Sequence, residues 1–449
     1  MLDRYPFVRY DLSYWKEDET TSQQCRTSQG DPFRVSFRFV APPAISRFYV
    51  HIKGGSIADD CENSCYVIAS HRNALLFCLL VPLPVPVEYL SNPESEPFPR
   101  FFKQDLFVYT ASNRPLLKLL PPCLEVGNED DKALYAGERL YNPLAGIIQF
   151  PIDCEELGIL CNDDGDYAVA YLCVSREISS GSGAKEVEAQ LCLYFSSDSH
   201  WELHGLPICC ENNDFDVLYR WSTKSVVAFG TSLCWIDYHR GILFCDVFAK
   251  PPIVRFLSLP VKVEQFPHVC MDLYRSISVV NDEGTPMIKF IDIKPSRGYP
   301  KYPTPDDSKI SVFSLVMEDS KMTWILDNEV VITADEPCIS KHFDSPHGPL
   351  MFPVVGVEEP YVGYMVVREL GCGVKKVVLV SIDLISGSVK EVYPYLNGDK
   401  DLFTDDADMA ISKSNSFEPF LPCGISMLPV TAQPNKVIVV ALMRKFTIC

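Results

Sequence analysis

The chain has 449 residues, 47% hydrophobic and 12% aromatic, enough to bury a large core and far from a disordered composition. With 59 acidic against 40 basic residues the net charge is −19, a poor match for a phosphate backbone or an anionic leaflet, so neither nucleic acid nor membrane is an expected partner. Proline (35 residues) outnumbers glycine (23), which favours many strands cut by turns over long helices.

From the start of the chain, Asp3, Arg4, Arg9, Asp11 and Glu17 occupy the region where a secretory signal needs an apolar stretch. YPFVRYDL (5–12) reads as a short strand, and PFRVSFRFVAPPAISRFYVHI (32–52) as two strands joined by a turn. The most apolar run, Ala74 to Val87, is too short and too interrupted by Pro82, Pro84 and Pro86 to span a bilayer. Then a pattern repeats: an apolar strand, a polar turn, and a second strand ending in an aromatic or Leu-Pro. Its copies are 104–122, 188–208, 241–261, 310–331 and 375–395, with 32–52 a fainter sixth. Further strands precede them at 166–177, 224–240, 273–293 and 359–370, so one repeat holds three or four antiparallel strands.

Several of these strands are apolar at consecutive positions, as in Val377-Val378-Leu379-Val380 and Ile242-Leu243-Phe244. A half-exposed sheet alternates; consecutive apolar residues call for cover on both faces. Small antiparallel sheets sandwiched between similar sheets are the blades of a β-propeller. The expected fold is therefore all-β, a single propeller over 1–449 with six to seven four-stranded antiparallel blades, tandem β-sandwiches being the alternative. A seventh blade has room in 53–100 or 123–160, and 436–444 or 5–12 is placed to close the ring. The inserts 123–132, 179–185, 294–309 and 397–416 read as flexible blade-edge loops, and contact with a partner is expected at 123–132, 294–309 and 397–416.

Motifs for chemistry are sparse. His200 and His204 bracket Trp201 in a strand and turn, where a four-residue spacing does not face two imidazoles the same way. Cys61, Cys65 and His71 form the only local cluster with metal-ligand character, and loop thiols without metal are the favoured reading. Asp163, Asp164 and Asp166 around Gly165 read as a turn, because a calcium loop needs a Glu where Val174 stands. GCGVKK (371–376) leads into a strand and is no phosphate cradle. No metal or other cofactor is expected. Asp237 and Asp246 flank a strand turn; as paired carboxylates they could do glycosidase-like work, and as turn residues they accept backbone hydrogen bonds, the favoured reading. Trp201, Trp235 and Trp324 fall at or near strand ends in three repeats and are read, with Asp237, Gly241 and Asp246, as structural packing residues. The 18 cysteines lie largely in apolar strands, as do Cys173, Cys192, Cys234 and Cys245, and no Asn-x-Ser/Thr sequon occurs, so a reducing compartment, cytoplasm or nucleus, is expected.

At WIDYHRGILFCDVF with VRFLSLPV (235–248 and 254–261) the chain resembles a plant family, expanded in grasses, named only as domain of unknown function 1618. LDRYPFVRYD (2–11), 32–52, ASHRNALLF (69–77) and DLFVYTA (105–111) are similar to its N-terminal segments. The resemblance implies a propeller like those following F-box modules in plant ubiquitin-ligase receptors, and carries no catalytic residues over. The propeller-like region starts almost at Tyr5, so no F-box is expected ahead of it. The function expected is a non-enzymatic, monomeric module that binds an unknown protein partner; the alternative is a propeller hydrolase using paired carboxylates.

Overall fold

Strands that are apolar on both faces have to be stacked, and among the described residues they stack as six four-stranded units met in sequence order, the third and fourth joined into one eight-stranded sheet. The computed structural model describes residues 1–10, 16–52, 65–82, 102–122, 141–142, 147–148, 154–178, 185–210, 215–261, 269–299, 305–318, 321–370, 376–397 and 420–421. The inserts 123–132, 179–184 and 398–416, the middle of 294–309, Cys61 and the 436–444 segment lie outside the described residues.

The fold is a β-propeller. Blade 1 has its strands at Phe7–Arg9, Cys25–Arg26, Pro32–Arg38 and Arg47–Ile52. Blade 2 follows at Cys65–His71, Ala74–Pro82, Phe102–Thr110 and Leu116–Leu119, and blade 3 at Leu157–Cys161, Tyr167–Ile178, Lys185–Phe195 and Glu202–Cys209. Blade 4 comprises Ser225–Phe229, Ser232–Asp237, Gly241–Asp246 and Val254–Ser258. Blade 5 comprises Arg275–Asp282, Thr285–Pro295, Ser308–Glu318 and Lys321–Ile332; blade 6 comprises Met351–Val355, Val362–Arg368, Lys376–Asp383 and Val389–Asn397. In blades 2 to 6 the strands run antiparallel from the innermost outwards in chain order. The recurring sequence hairpin is the outer half of each of these blades.

Blade 1 departs from the expected all-antiparallel pattern. Its innermost strand comes from the chain start, and the other three are laid down from the outside inwards, so Arg47–Ile52 arrives parallel to Phe7–Arg9. Blades 3 and 4 also join at their outer edges, where Ile208 and Cys209 pair in parallel with Val254 and Arg255.

The core consists of seams between blades. In Ala74–Pro82, residues Leu75, Phe77, Leu79 and Val81 pack with blade 1, while Ala74, Leu76 and Cys78 pack with blade 3. Leu233 and Trp235 of blade 4 face blade 3, and Cys234 and Ile236 face blade 5. Val378, Val380 and Ile382 of blade 6 face blade 5, while Val377 and Leu379 meet Met1 and Ile45 at the approach to blade 1. Every seam around the circle is thus filled, at roughly 1.5–3 kcal/mol for each fully buried large side chain. Of the two segments expected to close the ring, 436–444 lies outside the described residues and 5–12 supplies the inner strand of blade 1; beside it Leu2–Asp3 pairs with Phe420–Leu421. The backbone of Ser46 reinforces it, accepting from the Asp3 N–H and donating to the Met1 carbonyl, both at 2.9 Å.

Candidate functional site

The inner strands of blades 2 to 6 surround a central cavity of about 440 Å³, to which the chain start contributes Arg4. Its shaft is apolar, with Ile68, Val226, Ala228, Ile277, Val279 and Val354 on the wall. The polar groups gather where the inner strands begin. Glu155, Lys224 and Asp272 each stand one to three residues ahead of the inner strand of blades 3, 4 and 5. The same step in three repeats therefore delivers three charged side chains to one mouth.

Lys224 Nζ lies 3.1 Å from Glu155 Oε2, and both side chains remain partly exposed, at 40% and 31%, so this pair adds little stability. Burial pushes the Asp272 carboxyl above its ordinary value, opposed by the nearby charges of Lys224, Arg4 and His239. Burial also lowers the His239 imidazole, against the attraction of Asp237. Arg275 is almost wholly enclosed: its Nε donates to Asp292 Oδ1 at 2.8 Å and its Nη1 to the Tyr238 carbonyl at 2.8 Å. Tyr299 Oη donates to the same Asp292 oxygen at 3.2 Å. The Tyr238 and Ser225 hydroxyls share a hydrogen bond of 2.9 Å, and burial pushes the phenol up to about 12. At the far end His71 Nδ1 accepts from the Cys161 N–H at 2.9 Å, and burial, followed by the charge of Arg72, lowers this imidazole to about 4.

Two wall residues stand out. Ser276 lines the cavity, but its hydroxyl oxygen is closed off from the open space and has no hydrogen-bond partner among the described residues. Phe352 lines the cavity with φ of +52°, beside Pro353 and within the irregular pairing between Met351 and Val354. Arg72 and Glu283 also have positive φ, but they sit in two-residue hairpin turns that require it. A bulky residue in left-handed backbone inside a strand costs on the order of 1–3 kcal/mol, and bulges commonly re-aim a side chain near a site.

Of the described residues singled out from the sequence, His71 lines the cavity and the others lie elsewhere. Asp237 and Asp246 stand at opposite ends of Gly241–Asp246 and its paired strand, so they do not converge. Asp237, wholly buried, accepts from the Ser222 N–H (2.9 Å), the His239 N–H (2.8 Å) and Arg240 Nη1 (2.7 Å). Asp246 accepts from Thr231 Oγ1 at 2.8 Å and from the N–H groups of Phe248 and Ala249. Each tryptophan donates its indole N–H backwards to the preceding blade or its connector: Trp201 to the Pro121 carbonyl (2.8 Å), Trp235 to Glu156 (2.7 Å) and Trp324 to Ser258 (3.0 Å). A Cβ on Gly241 would collide with the Leu257 carbonyl and the Phe256 ring. His204 lies 3.4 Å from Glu202, while Asp166 accepts from Ser196 Oγ at 2.9 Å in the turn entering Tyr167–Ile178. Among the described residues no group of three or more His, Cys, Asp and Glu side chains is placed to hold a metal ion, and no helix is long and apolar enough to cross a membrane.

Residues 235–364 match the model of a family described as a protein of unknown function (DUF1618). No curated protein matches the chain. Similar solved structures include one described under the GH130 mannoside phosphorylases, glycoside hydrolases that target beta-1,2 mannosidic linkages in Candida mannan: 11% identity, 79% of this chain and 98% of that one, TM-score 0.29. A PL25 ulvan lyase gives 10% identity over 87% and 85%, TM-score 0.32. The Trypanosoma rangeli sialidase gives 10% identity over 82% and 58%, TM-score 0.32. Likeness at these scores carries no argument about chemistry.

Proposed function

We propose that this propeller is a non-enzymatic binding module, engaging a partner protein at the mouth of its central cavity. One observation carries the reading: Arg4 and the charged residues ahead of three successive inner strands meet at one opening above an apolar shaft. A rigid ring that gathers side chains from distant segments holds them in fixed geometry at no ordering cost on binding. The thirteen cysteines of the described residues are free thiols, which supports the intracellular setting. Kinship with F-box-associated propellers belongs to the same reading, resting on the Trp235 to Asp246 motif. The test is quantitative affinity purification with the intact chain and with Lys224→Glu, which reverses one charge at the mouth. A defined partner retained by the first and lost by the second is expected; equal retention by both, with the variant folded, refutes the mouth as the contact.

A second reading, a hydrolase working through paired carboxylates in the manner of a glycosidase, is favoured by Glu155 and Asp272 lining one cavity. Hydrolysis of chromogenic glycosides that disappears in both Glu155→Gln and Asp272→Asn would support it; activity surviving in both would end it.

A further inference from the structure

We infer that the central cavity takes a neutral sugar unit, seated against Phe352 with its hydroxyls bonded to the charged mouth. The inference rests on the reading of this cavity as the recognition site and adds the chemistry of what enters it. Its volume, about 440 Å³, lies in the range of small-molecule pockets, roughly 300–1,000 Å³.

The charge pattern selects against an ionic ligand. At the mouth Arg4 and Lys224 stand with Glu155 and Asp272, two cations with two anions. Arg275 is matched by Asp292, and at the far end Arg72 by Asp163 at 2.7 Å. With the mouth charges balanced, an ion of either sign gains no net attraction to offset the penalty of its own desolvation in a partly dry site. A neutral ligand with many hydroxyls avoids the penalty and uses both signs, donating to the carboxylates and accepting from the ammonium and guanidinium groups.

The walls supply the other half of the match. A purely polar guest would waste Val226, Ile277 and Val354, and a purely apolar one would strip water from the mouth with nothing in return. A sugar ring has hydroxyls around its edge and C–H groups on its faces, and a flat aromatic covers such a face. Phe352 is the phenyl ring on this cavity wall, held there by a backbone conformation that bulky residues avoid. The sugar can be free in solution or carried by the partner protein; the chemistry of the cavity is the same.

Titration calorimetry of the full-length protein with a panel of neutral mono- and oligosaccharides, and with the matching uronates, tests this. At least one neutral sugar is expected to bind, and its uronate to bind at least tenfold more weakly. Phe352→Ala should weaken binding at least tenfold and Glu155→Gln several-fold. Glu155→Gln keeps the shape of a partly exposed side chain, so it stands as the measure if Phe352→Ala does not fold. Absence of binding by every neutral sugar, or binding indifferent to both folded variants, overturns the inference. Retrieval of a partner with and without enzymatic deglycosylation of the lysate separates the sources: loss on deglycosylation puts the sugar on the partner, while retention together with calorimetric binding puts it in solution. A partner lost by Lys224→Glu although no sugar binds leaves the proposed function standing and removes this inference; sugar binding with a partner indifferent to Lys224→Glu does the reverse.

Discussion

Replacing Asp237 separates a structural carboxylate from a reacting one. The side chain has no exposed surface and holds the turn Asp237–Arg240 through two backbone N–H groups and the Arg240 guanidinium. Hydrogen bonds to a charged group contribute about 1.5–3 kcal/mol each, and removing one partner of a buried pair costs about 3–5 kcal/mol. These figures overlap and do not add. The Arg240 side chain, 19% exposed, can turn to water, whereas the Ser222 and His239 N–H groups are left facing a hole. Asp237→Ala is therefore expected to lose about 3–4 kcal/mol, and Asp237→Asn, which keeps one acceptor oxygen, about 1–2 kcal/mol. Urea unfolding followed by tryptophan fluorescence measures both, and a cycle with Arg240→Gln isolates the ion pair. The Asp237→Asn protein should still engage its partner once folded. A stable Asp237→Ala protein, shifted by less than about 1 kcal/mol yet devoid of ligand binding, would refute the structural assignment.

Other positions carry graded expectations. Gly241→Ala should destabilise more than Gly158→Ala, because the added methyl at Gly241 meets a backbone carbonyl and a ring, while at Gly158 it meets the side chains of Val226 and Leu233, which can shift; comparative urea midpoints decide. Trp235→Phe removes the donor to the partly buried Glu156 carbonyl and should cost about 1–2 kcal/mol, whereas Trp324→Phe, whose bond to Ser258 is solvent-exposed, should cost under about 1 kcal/mol. His71 accepts a backbone N–H in its neutral form and titrates near 4 in the fold, against about 6.5 in an unfolded chain. Between these values the unfolded chain binds the extra proton, so the contribution of His71 is full above about pH 6.5 and is lost as pH falls towards 4. His71→Gln should flatten the pH dependence of unfolding free energy in that window, and an unchanged slope would contradict the assignment.

The architecture was readable because a propeller strand needs cover on both faces. Val377-Val378-Leu379-Val380 spends alternate residues on two different seams, and no alternating pattern could have said so. The recurring hairpin was readable for a related reason: the outer half of each blade packs between similar neighbours, so its turns and aromatics recur. Blade 1 escaped the pattern because its inner strand is separated in sequence from the three that pair outside it, and short segments such as Phe7–Arg9 have too few residues for periodicity to show. The Leu2–Asp3 pairing with Phe420–Leu421 was invisible for the same reason, resting as it does on two residues at each end.

The site was harder to see because its chemistry is carried by connectors. Motif searches weigh residues close together in sequence, and they drew attention to Asp237 and Asp246, which serve turns. Glu155, Lys224 and Asp272 are scattered over more than a hundred residues, and each looks like an ordinary charge beside a strand. What unites them is position within the repeat, just ahead of an inner strand. Aligning the repeats on the inner strand instead of the hairpin would have placed the three within a window of three residues just ahead of it. In a propeller that window is also a place, because each inner strand starts at the same end of the channel. Lys224 and Glu155 keep partial exposure there and cost the fold little, whereas burial raises the Asp272 carboxyl, so a charge at this step is costly only where the channel closes over it.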